Sequence, residues 1–178
     1  TFADVVRLAV PPRHGLTEMA APAPHPRPSG DQGIATLGAS PSRSAFAGAL
    51  RDGRTPRTAL TLAPVHVPAG DWAGAMIEAA GATLDAGRGA LLLVPDAADL
   101  QRLVTRCEAA FGRGSFVTLT ADLGPAARYR AFLAAARGSV RLVLGTRAAV
   151  FAPVHDLGLI ARRLGGEHGA VVVLKRDG

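Results

Sequence analysis

Lysine is almost absent from this sequence: nineteen of the twenty basic residues are arginine, and Lys175 is the only lysine. A phosphate loop of the G-x-x-x-x-G-K-[ST] type needs a lysine that reaches the β and γ phosphates of a nucleotide. The loop after the first predicted strand, APVHVPAGDW (63–72), has one glycine, Gly70, followed by Asp71, whose carboxylate would repel a phosphate. The sequence therefore excludes a Walker A site, and we interpret the loop around Gly70 and Asp71 as a degenerate nucleotide-binding loop.

Cysteine, aromatic residues and long apolar runs are also scarce. The single cysteine, Cys107, excludes a disulfide or a cysteine-built zinc site within the chain, which fits a reducing, cytoplasmic setting. Because aromatic residues make up only 4% of the sequence, Ala, Val and Leu must fill most of the core. Apolar runs such as GALLLVP (89–95) have the length of a strand and are too short to span a bilayer. We therefore expect no membrane partner.

Positive charge is present but unevenly distributed. The formal net charge is +6, of which residues 1–58 carry +3, residues 59–161 carry +1 and residues 162–178 carry +2. Such a balance permits contact with nucleic acid phosphates but does not require it, since a solvated basic surface gives the same count.

Proline divides the chain into regions. Residues 1–10 predict a short strand or the end of one, and the start at Thr1 rather than Met indicates a fragment. Residues 11–45 hold seven of the thirteen prolines and predict a partly extended, mobile linker. A short helix is predicted over SAFAGALRDG (44–53), and a folded unit over residues 46–161.

In the folded unit, strands alternate with helices of 12 to 17 residues. Apolar and polar residues do not alternate within these strands. This pattern predicts an α/β fold, with a parallel sheet covered by helices on both faces. Strands are predicted over 58–65, 90–95, 116–121, 140–145, 156–161 and 170–175, and helices over 71–87, 96–111 and 124–138. The apolar positions predicted to face the core are Trp72, Met76, Ala80, Leu84, Leu100, Leu103, Val104, Cys107, Tyr129, Phe132, Leu133 and Ala136.

One short segment carries candidate chemistry. Gly145 and Thr146 end a predicted buried strand and Arg147 follows at once, so the carboxyl edge of the sheet can offer a backbone N–H, a hydroxyl and a guanidinium to a phosphodiester. The alternative is that Thr146 is only a helix N-cap. Hydrolytic chemistry is less well supported. The two candidate pairs, His66 with Asp71 and His155 with Asp156, are more typical of solvated residues in a loop or turn than of a catalytic dyad. No spacing of residues suits a metal.

Five segments, in the same order, resemble the family of primosomal protein N′ (PriA), and its actinobacterial branch with degenerate ATPase motifs above all. They are DVVRLAVPPRH (4–14), SAFAGALRDGRTPR (44–57), GRGALLLVPDAADLQRL (87–103), LTADLGPAARYRAFLAAARG (119–138) and VRLVLGTRAAVFAPVHDLGLI (140–160). The resemblance implies that residues 1–10 are the end of an N-terminal DNA-binding region and that an incomplete RecA-like first helicase lobe follows the linker. It also implies that the chain is a fragment, since the family carries a second lobe and paired-cysteine zinc sites that are not in this sequence.

The resemblance further implies a role in replication restart. The family recognises branched DNA at stalled forks, so the expected partners are forked or single-stranded DNA and other primosome or replication proteins. Val94-Pro95-Asp96 and Gly145-Thr146-Arg147 match family positions on the DNA-facing side of the lobe, with Asp96 in place of the more usual Glu. Zinc and ATP are expected only of the intact family, and no cofactor is expected in this fragment.

The last residues depart from the family pattern. A DExH box, which holds Mg²⁺, should begin about three residues after Ile160, but Arg162 and Arg163 stand there. Glu167-His168 imitates the end of the box and comes too late. We interpret residues 162–178 as an atypical tail produced by a reading-frame change or a truncated gene model.

The favoured hypothesis is a DNA-binding fragment without ATPase or helicase activity. The first alternative is an active ATP-dependent 3'-5' DNA helicase, which would need the phosphate-binding lysine that the sequence lacks. The second is a non-catalytic scaffold that binds replication proteins and contacts DNA little. Binding of forked against single-stranded DNA over a range of salt concentrations would separate the second alternative from the favoured hypothesis.

Overall fold

A computed structural model of the chain describes residues 10–22, 25–26, 41–54, 56–62, 72–164 and 169–174. In these ranges no helix has the length and apolar character that a membrane span requires. The helices are α1 (Gly15–Met19), α2 (Pro41–Arg51), α3 (Trp72–Asp85), α4 (Ala97–Phe111) and α5 (Pro125–Ala136). The strands are β1 (Thr58–Leu62), β2 (Gly89–Leu93), β3 (Phe116–Leu119), β4 (Leu142–Gly145), β5 (Leu157–Arg163) and β6 (Gly169–Leu174), and a 3₁₀ helix spans Arg147–Phe151.

The strands form one sheet in the order β1-β6-β5-β2-β4-β3. Strands β5, β2, β4 and β3 are mutually parallel, which confirms the predicted α/β class. Strand β6 is antiparallel to both β5 and β1. The sequence had predicted a parallel sheet, and the sheet is parallel only over β5, β2, β4 and β3. The reason is the short connection: only five residues separate Arg163 from Gly169, whereas a parallel crossover needs about a dozen or more.

Helices cover both faces of the parallel strands. Helices α2, α3 and α4 cover one face, where they meet Ala90 and Leu92 of β2 and Leu142 and Leu144 of β4. The opposite face, with Leu91, Leu93 and Val143, packs against α5 and the 3₁₀ helix. Side chains of β2 are buried on both faces because α/β packing leaves neither face to solvent.

Helix α3 is buried more broadly than its predicted stripe. Met76 and Ala80 are fully buried as expected, but Ala73, Ile77 and Ala82 on other sides of the helix are also buried. The small side chains of this helix let α2, α4 and the sheet approach it from several directions. In α5 the prediction for Ala136 is wrong: it is exposed, and Ala131 and Ala135 face the sheet instead.

The described start of the proline-rich segment contains a short helix. Residues 15–19 form α1, with His14 as the N-cap, whose Nδ1 accepts from the backbone N–H of Thr17. Helix α1 contacts α5, and the Nδ1 atom of His25 lies 3.0 Å from the carbonyl oxygen of Gly114, in the turn before β3. This part of the predicted linker therefore packs against α5, a contact that composition alone does not reveal.

Arg88 joins three elements at the amino edge of the sheet. Its guanidinium donates to the carbonyl oxygens of Gly53, after α2, and Leu157, in β5, at 3.1 Å and 3.2 Å. Its Nε atom also lies 3.8 Å from a carboxylate oxygen of Asp156. Since this arginine already serves carbonyl and carboxylate partners, the amino edge is a structural junction.

Candidate nucleic-acid interface

Two loops that the sequence singled out lie side by side at the carboxyl edge of the sheet. Strands β2 and β4 are parallel neighbours, with Leu93 opposite Gly145. The pairing continues one residue further, since the backbone N–H of Val94 donates to the carbonyl oxygen of Gly145 at 3.0 Å. The predicted segments 94–96 and 145–147, fifty residues apart in sequence, therefore form one continuous edge. Ligands of α/β sheets bind at this edge.

In the first loop, residues 94–96, two of the three residues have structural roles. Val94 is 3% exposed and belongs to the core, whereas Pro95 and Asp96 are exposed. Asp96 is the N-cap of α4, and its Oδ1 atom accepts from the backbone N–H of Asp99 at 2.9 Å. The carboxylate therefore satisfies one of the free donors at the start of the helix. The role of the three residues in DNA contact stays a prediction.

The second loop presents a free cation. Gly145 is buried, Thr146 is partly exposed and Arg147 is exposed as the first residue of the 3₁₀ helix. Thr146 stands at the N-cap position, as the alternative interpretation predicted, but its hydroxyl makes no capping hydrogen bond. In the described part of the chain, the Arg147 guanidinium has no carboxylate or hydrogen-bond partner. Both side chains are therefore accessible to a ligand.

Gly145 allows close packing of the second loop against its neighbours. A Cβ atom added to Gly145 would lie 2.3 Å from the carbonyl oxygen of Leu119 and 2.4 Å from the Cβ of Ala149. Only glycine lets the end of β4 approach both the end of β3 and the 3₁₀ helix. The glycine thus sets the position of Thr146 and Arg147.

A buried ion pair that the sequence did not predict closes the other side of the edge. The side chain of Asp99, in the first turn of α4, is 6% exposed and accepts a hydrogen bond from Nη1 of Arg163, at the end of β5. The guanidinium of Arg163 also lies over the ring of Trp72, 4.8 Å from its centroid, at the start of α3. Three elements are joined where the resemblance implies an acidic Mg²⁺ box.

Nothing in the local sequence pairs Asp99 with a residue 64 positions later. A signal existed nevertheless, since Asp99 lies four residues before Leu103 on the apolar stripe of the helix. A buried acid at such a position needs a partner. Arg163 could have been identified as that partner only from the order of the strands and the register of β5.

Positive charge exceeds negative charge at this edge. Four arginines lie on it, against three acids. Asp96 and Asp99 are engaged by the hydrogen bonds just described, and Asp122, in the loop after β3, is exposed. Arg162 is exposed, whereas Arg102 lies 3.9 Å from Asp99 and remains 72% exposed. The arginines of the edge are Arg102, Arg147, Arg162 and Arg163. This arrangement attracts phosphate groups.

The remaining catalytic candidates do not assemble at this edge. Cys107 is fully buried, and burial raises the pKa of its thiol to about 12, which suits a core residue rather than a nucleophile. His155 is exposed in the turn before β5, where Asp156 has a positive φ of 46°. The degenerate loop with Gly70 and Asp71, and His66 within it, lie outside the described residues. In the part of the chain that the structure describes, no group of three or more His, Cys, Asp or Glu is arranged to hold a metal.

Comparison with known proteins yields a consistent set of relatives. Over 164 residues, 90% of this chain, it is 44% identical to a protein of Mycobacterium tuberculosis (strain CDC 1551 / Oshkosh) named "Probable replication restart protein PriA". A protein of the same name from Mycobacterium leprae (strain TN) is 41% identical over 90% of the chain. A "Replication restart protein PriA" of Chlamydia pneumoniae is 34% identical over 47% of it. No protein-family model matches the chain.

These relatives confirm the resemblance that the sequence motifs indicated. The chain spans about a quarter of the length of the two mycobacterial relatives, 24% and 25%, and 11% of the chlamydial one. It is therefore homologous to one segment of those proteins.

Proposed function

We propose, from the homology of this chain with a segment of the PriA replication restart proteins, that it is a DNA-binding segment of such a protein. It binds forked or single-stranded DNA in the cytoplasm during replication restart, together with other replication proteins. It has no ATPase or helicase activity of its own.

The single observation that carries the proposal is the exposed guanidinium of Arg147 beside the end of β2. Its neighbour Thr146 offers a hydroxyl, and Asp96 and Asp99 of the same edge are engaged in hydrogen bonds. A strand of nucleic acid is recognised first through its phosphates, which arginine and threonine side chains bind without regard to sequence. The edge thus suits contact with the DNA backbone.

Replacement of Arg147 by Ala tests this assignment. We expect Arg147→Ala to weaken binding of a labelled forked DNA equally for different base sequences, with binding measured by fluorescence anisotropy from low to high salt. Loss of one phosphate contact should lower the slope of log K against log salt by about 0.7 to 0.9.

Arg113→Ala is the matched control. Arg113 follows α4 at the amino edge of the sheet, and its side chain is 87% exposed. Its replacement by Ala removes the same charge as Arg147→Ala does. Equal effects of the two replacements would mean that only net charge matters, which contradicts binding at the carboxyl edge. Absence of DNA binding by the unmodified chain would refute the proposal itself.

Nucleotide binding is the second test. Because no lysine precedes Lys175, we expect isothermal titration calorimetry to detect no binding of ATP–Mg²⁺ at millimolar concentrations. A saturable binding isotherm, or hydrolysis of ATP stimulated by DNA, would favour an active helicase instead.

A further inference from the structure

The 3₁₀ helix after Arg147 exposes two apolar side chains. Val150 is 48% exposed and Phe151 is 47% exposed, although the sequence has only six phenylalanines. An aromatic side chain offers a large apolar face, and about half of Phe151 is accessible to a ligand.

The backbone that carries Phe151 is firmly held. Ala149, on the inner side of the same helix, is fully buried against the sheet. The backbone N–H of Ala149 donates to the carbonyl oxygen of Thr146, and that of Ala152 donates to Ala149, both at 2.9 Å. Ala152 is extended and precedes Pro153, which restricts its conformation further. The exposed ring thus projects from a rigid support, and ordering it on binding costs little entropy.

Charge next to the ring identifies the partner that fits. Arg147 begins the helix that Phe151 ends, and a 3₁₀ helix rises about 2 Å per residue, so the two positions are about 8 Å apart along its axis. A protein partner is less well matched, because a stable interface buries about 800 Å² on each side and only two adjacent apolar side chains are exposed here. Proteins that bind unpaired strands combine a cationic groove with aromatic rings on which bases stack.

We propose that Phe151 is a stacking platform for an unpaired base, while Arg147 holds a phosphate of the same strand. This inference rests on the proposed function and refines it, since it names single-stranded DNA, or the unpaired arm of a fork, as the ligand of the carboxyl edge. Bases within a duplex are stacked on each other and offer no free face to Phe151, so the ring contributes to the binding of unpaired strands only.

The test compares three variants on two DNA probes, fluorescein-labelled oligothymidylate and a duplex of the same length. We expect Phe151→Ala to bind oligothymidylate about five- to a hundredfold more weakly, the range that loss of one stacked base gives, and to bind the duplex like the unmodified chain. Phe151→Trp should retain the affinity, and Val150→Ala, the matched apolar control, should lose less than about twofold because an aliphatic side chain offers no ring face. Circular dichroism melting curves establish that each variant is folded.

Salt dependence separates stacking from charge. Phe151→Ala should leave the slope of log K against log salt unchanged, whereas Arg147→Ala lowers it, because stacking releases no counterions. Unchanged oligothymidylate binding by Phe151→Ala, or equal losses for Phe151→Ala, Phe151→Trp and Val150→Ala, would overturn the stacking role and leave the proposed function standing. Failure of the unmodified chain to bind either probe would overturn both.

Discussion

At the scale of single residues, Gly145 determines the geometry of the carboxyl edge. The Cβ contacts described above leave no room for any other residue without movement of β3 or the 3₁₀ helix. The sequence singled out Gly145 for its place in a family motif, whereas the structure explains it by steric fit. Its function is to bring Thr146 and Arg147 close to the end of β2.

Replacement of Gly145 by Ala should therefore destabilise the fold. Overpacking of this kind costs about 1–3 kcal/mol, and urea denaturation followed by circular dichroism measures the free energy of unfolding. The matched control is Gly48→Ala in α2, where an added Cβ meets nothing within 4 Å. Alanine there should stabilise the helix by about 0.5–1 kcal/mol. A neutral Gly145→Ala variant would contradict the steric argument.

At the scale of secondary structure elements, Asp99, Arg163 and Trp72 join α4, β5 and α3. A buried carboxylate is costly without a partner, and a buried pair is weak evidence for net stability because both charges lose their hydration. The value of the pair lies in its specificity, since it fixes the end of β5 against the starts of two helices.

Removal of one partner should destabilise the chain more than replacement of both. We expect Asp99→Leu to lower the free energy of unfolding by about 2–4 kcal/mol, somewhat less than for a fully buried pair, because the side chain of Arg163 is 14% exposed and keeps some hydration. The double variant Asp99→Leu, Arg163→Met should recover much of that loss, because it leaves no unpaired buried charge. Additive losses in the double-mutant cycle would show that the two side chains do not interact.

Most elements could be predicted from the sequence, and the exceptions have physical causes. Apolar runs and their flanking glycines predicted β2 and α4 to within a residue or two, because burial on both faces and the Asp96 cap leave clear local signals. The antiparallel direction of β6 follows from the short connection of five residues between β5 and β6. The pattern of apolar residues in the strands does not include the length of this connection. Helix α1 was missed since proline content masked a five-residue helix that docks on α5.

The candidate site was partly predictable for the same reason. The place of Gly145, Thr146 and Arg147 at the carboxyl edge could be predicted because the ends of buried strands are visible in the sequence, while their role in binding stays a prediction. The ion pair of Asp99 with Arg163 was not, because it depends on strand order and on contact over long sequence separation. Phe151 was also missed, since its exposure depends on which side of the 3₁₀ helix meets the sheet.

At the scale of the whole molecule, the two edges of the sheet differ in their chemistry. The amino edge is a junction in which Arg88 is satisfied by carbonyls and Asp156. The carboxyl edge presents Arg147 and Arg162 with no acid engaged to either in the described residues. The exposed guanidiniums of Arg147 and Arg162 therefore make the carboxyl edge a favourable place for the phosphates of DNA.

Hydrogen exchange of the chain with and without forked DNA tests the central claim most directly, because it shows where DNA lies rather than only whether it binds. We predict that DNA slows amide exchange in residues 94–97 and 145–151. Exchange around Gly53, Arg88 and Asp156 should stay unchanged, since the amino edge faces away from the ligand. Protection confined to the amino edge, or no protection at DNA concentrations that saturate binding, would contradict the account.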